Sequence, residues 1–141
     1  MKEVKVKCRV CGYEGFCEQP ENAVPPYYVQ NCPQCGELEV IADPIGLTEK
    51  DIVQKFGLET AWEICDTIIR VVKSLRAARG VPTGKDARLV QYEVAIKHAM
   101  GKEKIPWQAG KFLLDNLNER TIQAILRIKS TDRDKVKVWL L

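Results

Sequence analysis

"CRVCGYEG" at residues 8–15 and "CPQCGE" at residues 32–37 carry one pattern twice, Cys-x-x-Cys-Gly, in the first third of a 141-residue chain. Such a pair can be a disulfide framework, a thiol redox couple or a metal cage. The spacing favours the cage. Two cysteines separated by two residues offer both thiolates of one tight turn to a single point, and a second such turn completes a tetrahedron. Gly12 and Gly36 follow the second cysteine of each pair. Glycine there supplies the positive-φ bend that aims backbone N–H groups at the sulfurs. Cys8, Cys11, Cys32 and Cys35 are therefore the candidate metal ligands.

The flanking residues read as strands. "EVKVKC" alternates Val4 and Val6 with Glu3, Lys5 and Lys7, and "ELEVIA" follows the second cysteine pair. With its "CRVCGYEG" and "NCPQCGELE" knuckles, the segment over residues 4–42 resembles the zinc-ribbon superfamily, whose rubredoxin members have knuckles of this kind. The resemblance implies a small β ribbon around one metal. Rubredoxins hold a redox iron with the same four thiolates, so zinc and iron both stay open. The loop between the knuckles has no Trp to seal an iron site, only Tyr13, Phe16, Tyr27 and Tyr28. A ribbon joined to a basic helical body reads as structural zinc, with iron the lesser alternative. Cys17 reads as a small apolar strand residue, and Cys65, among Ile64, Ile68 and Ile69, as core.

Pro44 and Gly46 mark a linker over residues 43–46, and residues 47–141 read as a helical domain. The fold class is thus α+β, a small N-terminal β zinc ribbon at 1–42 followed by a mainly α-helical domain. Thr48 and Asp51 have capping-box spacing, Ile52, Val53 and Phe56 form the first apolar face, and Gly57 ends that helix. A long helix over about 59–79 places Ala61, Ile64, Cys65, Ile68, Ile69, Val72 and Leu75 on one face. A third over about 84–100 starts behind Thr83 with Asp86 as its box partner, and two more meet near Asn116–Asn118. The tail "DKVKVWLL" is a short strand or a last helical turn. Both "LTEKDIVQKFGLETAWEI" and "KFLLDNLNERTIQAILRI" have partial helix-turn-helix patterns, which any antiparallel helix pair also produces.

Charge separates the two parts. Residues 1–45 have four basic and seven acidic side chains, net −3, whereas residues 46–141 have eighteen and twelve, net +6. Arg70, Lys73, Arg76, Arg79, Lys85 and Arg88 form a band opposed only by Asp86 between residues 70 and 88. Such a band suits a phosphate backbone, although a solvated face produces the same pattern. Lys5, Lys7 and Arg9 share a strand face open to the same two readings. The 45% hydrophobic and 29% charged composition includes no apolar run near the roughly 20 residues of a membrane span. No signal-peptide pattern opens the chain, so a reducing cytoplasm is the expected compartment.

No catalytic set is legible. His98 is the single histidine and has no partner motif. "GVPTGKDA" has three residues between its glycines where a phosphate loop has four, and Asp86 stands where a hydroxyl would hold magnesium. The expectation is a zinc-binding nucleic-acid-binding or regulatory protein, not an enzyme, without a small-molecule substrate or membrane contact. The alternative is an adaptor whose acidic ribbon docks a partner protein, with the helices serving to form a homo-oligomer.

Overall fold

The computed structural model describes residues 1–78, 84, 87–131, 134 and 138. It has an α+β arrangement, a four-stranded antiparallel sheet followed by five helices. By internal contact the chain divides into two compact units, Met1–Gly46 and Leu47–Leu141.

In the first unit, β1 (Lys2–Cys8), β2 (Glu14–Gln19), β3 (Tyr27–Gln30) and β4 (Glu39–Pro44) are arranged in the order β2-β1-β4-β3. The alternation of "EVKVKC" is realised: Val4 and Val6 are buried, and they meet Tyr27 and Ala42 in a small core. Each hairpin, β1–β2 and β3–β4, has one Cys-x-x-Cys at its tip. Both β1 and β3 are antiparallel to β4, so they run the same way and deliver the two tips to the same end of the sheet.

Strand β4 continues through Asp43 and Pro44, residues that the sequence pattern placed in the linker. The register explains why proline is tolerated there. Arg9 N–H donates to Ile41 O and Ile45 N–H to Lys5 O, so the hydrogen-bonded pairs are 9/41, 7/43 and 5/45. Pro44 faces Val6 at a non-hydrogen-bonded position, where its missing N–H removes no rung from the ladder.

The second unit starts with α1 (Glu49–Phe56), whose N-terminus is closed by the reciprocal Thr48–Asp51 box. Gly57, at φ +83, ends α1 and at once precedes α2 (Leu58–Ala77). α3 (Arg88–Gly101), α4 (Trp107–Asp115) and α5 (Glu119–Ser130) complete the body. The isoleucine face of α2 is buried as its spacing predicts, with Ile64, Cys65, Ile68, Ile69 and Val72 in the main core. Phe56 meets Phe112 edge-to-face at 5.7 Å. Gly110 of α4 lies under the Met100 side chain, which occupies the space a β-carbon would need. The proposed Thr83–Asp86 cap and most of the C-terminal tail lie outside the described residues, and α3 is described from Arg88.

One buried hydroxyl ties the start of this unit to its last helix. Thr121 Oγ1 donates to Asn116 O at 2.5 Å and accepts from Leu47 N–H at 2.9 Å. Asn118 caps α5 by accepting from Thr121 N–H at 3.0 Å. Leu47 and Asn116 are both buried, so neither orphaned group would have water as a substitute. Thr121→Val keeps the shape and strands both groups. It should cost about 1–3 kcal/mol of stability, read by denaturant unfolding of the helical signal. A loss within experimental error would mean that the hydroxyl is dispensable.

Candidate metal centre

The two knuckles are built alike. In the first, Gly12 N–H donates to Cys8 O at 2.9 Å and Cys8 N–H to Tyr13 O at 2.8 Å. In the second, Gly36 N–H donates to Cys32 O at 2.9 Å and Cys32 N–H to Glu37 O at 3.2 Å. The closing glycines have φ of +80 and +74, the left-handed bend their positions require. This folding of the backbone converges four thiols. Cys8 Sγ lies 4.0 Å from Cys35 Sγ, Cys11 Sγ lies 3.6 Å from Cys32 Sγ, and all four sulfurs fall within 4.8 Å of one another.

These distances discriminate between the readings of the motif. A disulfide holds its sulfurs about 2.05 Å apart, and all six cysteines are free thiols. A tetrahedron of thiolates about 2.3 Å from a zinc ion has edges of about 3.8 Å. The Cys11–Cys32 and Cys8–Cys35 separations lie on either side of that edge, so the four residues can hold one metal ion in a thiolate cage. Cys8 and Cys32 are buried beside Val40, and Cys11 and Cys35 complete the cluster at its rim. The donor set is four soft sulfurs, which suits zinc or iron and disfavours magnesium or calcium.

The thiols do not ionise alike. Cys32 is lowered to about 6, chiefly because its sulfur accepts the Cys35 backbone N–H, helped by that of Gln34, against the opposing effect of burial. Cys35 accepts the backbone N–H of Glu37, which lowers it, but burial and the thiols of Cys32, Cys11 and Cys8 prevail and push it up to about 12. Cys11 likewise accepts from Tyr13 N–H and is nonetheless raised by burial and its thiol neighbours. The physical content is like-charge crowding. One thiolate is stabilised by backbone dipoles, and further thiolates at this spacing need a cation between them.

Cys17 and Cys65 stand apart from this cluster. Cys17 is half-buried on β2, where Gln19 Nε2 donates to its sulfur at 3.3 Å, and burial raises its thiol. Cys65 is fully buried in the helical core, and burial pushes its thiol up to about 12.

The basic residues singled out from the sequence have different surroundings. Arg70 is well exposed, and its Nε lies 3.0 Å from Asp66 Oδ2. Lys73 is exposed on the same helix. Arg76, by contrast, forks onto Gln91 of α3, with Nε and Nη2 donating to Oε1 at 2.9 and 2.6 Å. Arg88 is mostly covered, its Nη1 3.9 Å from Glu119. Arg79 and Lys85 lie outside the described residues. Arg76 thus joins two helices while staying exposed, as Arg70 and Lys73 are. On the ribbon, Arg9 is held by a two-pronged pair with Asp43 at 2.7 Å, and Lys5 lies over the Phe16 ring at 5.2 Å. Each ion of the first pair favours the other's charge, raising Arg9 and lowering Asp43.

No described helix is long and apolar enough to cross a membrane. Comparison with protein-family models, with curated proteins and with solved structures gives no match to this chain.

The distinct settings of the thiols lead to a labelling prediction. A disulfide reagent at pH 8 should leave Cys65 unmodified in the native protein and reach it only on unfolding, as peptide mapping would show. Modification of Cys65 under native conditions would mean that the helical core is open at α2.

Proposed function

We propose that the first unit is a zinc ribbon holding one structural zinc through Cys8, Cys11, Cys32 and Cys35, and that the protein acts by binding, as a nucleic-acid-binding or regulatory protein and not as an enzyme. The observation that carries the metal assignment is the convergence of four free thiols at tetrahedral spacing. Zinc is preferred to iron because a closed four-thiolate site suits a structural role, and because the unit has little apolar core of its own. The binding role is supported by charge. The helical unit has a net +6, with Arg70 and Lys73 directed outward on α2.

Protein purified without added metal should contain about one zinc per chain by elemental analysis. Cys8→Ser should abolish that content and unfold the ribbon while leaving most of the helical circular dichroism. Iron with a thiolate charge-transfer colour would favour the rubredoxin-like reading, and loss of all helicity would sink the independence of the helical body.

Nucleic-acid binding is tested separately. On labelled duplex DNA or RNA, log affinity should fall with log salt at about −0.9 per phosphate contact on B-DNA. Arg70→Glu combined with Lys73→Glu should flatten that slope by roughly two units on every sequence alike. A wild type that binds neither at low salt returns the function to the adaptor reading, in which the acidic ribbon docks a protein.

A further inference from the structure

Asp66 is a carboxylate on the buried side of α2, an expensive position for a charge unless it is paired. Two cations share it. Lys129 of α5 brings Nζ to 2.5 Å from Oδ1, off the line of a directed hydrogen bond, and Arg70 brings Nε to 3.0 Å from Oδ2. Lys129 first, and the charges of Arg70 and Lys73 with it, hold the Asp66 carboxyl below its ordinary range. The pairing engages Arg70 through Nε, on a guanidinium that also has two terminal nitrogens with four N–H donors in one plane.

Those nitrogens belong to a side chain that lines a cleft of about 410 Å³ beside α2. Lys104 and His98 line it as well, together with the hydroxyls of Thr67 and Ser74. Val71 and Leu75 supply an apolar wall. No carboxylate is among the lining residues; Asp66 and Glu63 line an adjoining hollow instead. The cleft therefore combines a pre-oriented guanidinium, an ammonium, an imidazole and two hydroxyls around an apolar surface. A planar guanidinium held by a buried acid matches two oxygens of a phosphate at once. The volume lies within the range of small-ligand sites, about 300–1,000 Å³, so a phosphate leaves room for a sugar and base against Val71 and Leu75.

We propose that this cleft binds a terminal phosphate, a phosphomonoester carried by a nucleotide or by the 5′ end of a nucleic-acid strand. Arg70 and Lys104 hold the phosphate, Thr67 and Ser74 donate to its remaining oxygens, and Asp66 is a positioning residue for Arg70. The strand-end form deepens the nucleic-acid reading above and rests on it; the free-nucleotide form does not. A cleft can meet the three terminal oxygens of a monoester from more than one side. A diester inside a duplex backbone offers two such oxygens, on a convex surface.

The test is calorimetric titration of the full-length, metal-replete chain with four probes: AMP, adenosine, and a short single-stranded DNA with either a 5′ phosphate or a 5′ hydroxyl. Each phosphorylated probe that binds should do so about tenfold or more tightly than its unphosphorylated partner, the scale of a charged hydrogen bond. Arg70→Gln and Lys104→Gln should each erase most of that preference. Lys97→Gln, which removes an exposed cation paired with Glu93 elsewhere on α3, should leave it intact. Binding of AMP alone identifies a free nucleotide as the ligand, and binding of the phosphorylated strand alone identifies a strand end; either supports the site. Equal binding of phosphorylated and unphosphorylated probes, no binding of any probe, or a preference indifferent to both Arg70→Gln and Lys104→Gln overturns it. Salt-sensitive duplex binding beside an unresponsive cleft would leave the nucleic-acid reading standing, and AMP binding without any affinity for strands would do the reverse.

Discussion

Four sulfurs within 4.8 Å of one another form the constraint on which the first unit depends. The unit spans 46 residues, and its buried apolar residues outside the thiol cluster are only Val4, Val6, Tyr27 and Ala42. Domains below about 70 residues seldom draw enough stability from such a core and rely on a staple. The two hairpins are joined by the β1–β4 ladder only over Val6–Cys8 and Ala42–Pro44, beside Cys8, and a metal between the knuckles would staple the tips themselves. The backbone donors of each knuckle are spent on the sulfurs and on the turn itself. Cys32 in particular gathers two N–H groups, so the polypeptide is arranged around charge at the sulfurs before any cation is considered.

The helical unit needs no such device. Among the described residues, twenty-three buried apolar side chains contribute to one core drawn from the five helices and the segments beside them. Its polar contacts instead set the register between elements. The Thr121 hydroxyl fixes the chain at Leu47 against the start of α5, and Arg76 joins α2 to Gln91 of α3. Asp66 joins α2 to Lys129 of α5. Each tie includes one buried polar group, Thr121, Gln91 or Asp66, which would lose its partner with no water to replace it. Apolar packing alone would tolerate small rotations of these helices, and the polar ties discriminate among them.

Much of this was legible in the sequence, for identifiable reasons. Knuckle geometry follows from local covalent spacing and a glycine, so the four ligand positions could be read directly. Strand alternation at Val4 and Val6, and the isoleucine spacing of α2, report burial because a single face decides it. The basic band fared differently. Periodicity tells on which side of a helix Arg76 lies, but not that α3 brings Gln91 to meet it. For the same reason His98 looked isolated and Lys104 belonged to no motif, although both line one cleft with Arg70. Pro44 suggested a break because proline propensity is an average over ladder positions, and β4 places it at the one kind that needs no N–H.

The charge division then limits where a polyanion can be met. The first unit has a net −3, and four thiolates around a divalent ion would add two further negative charges. One of its exposed cations, Arg9, is already matched by Asp43. At physiological salt the Debye length is about 8 Å, so a phosphate approaching this unit senses mainly the charges of its local, net acidic surface. Attraction is therefore expected on the helical unit, at side chains that no neighbouring carboxylate fully cancels. Arg70 satisfies that condition in a particular way. Its acid partner is shared with Lys129, so the group of three retains one net positive charge. The buried carboxylate orients that charge without neutralising it, an arrangement that a freely solvated surface arginine would lack.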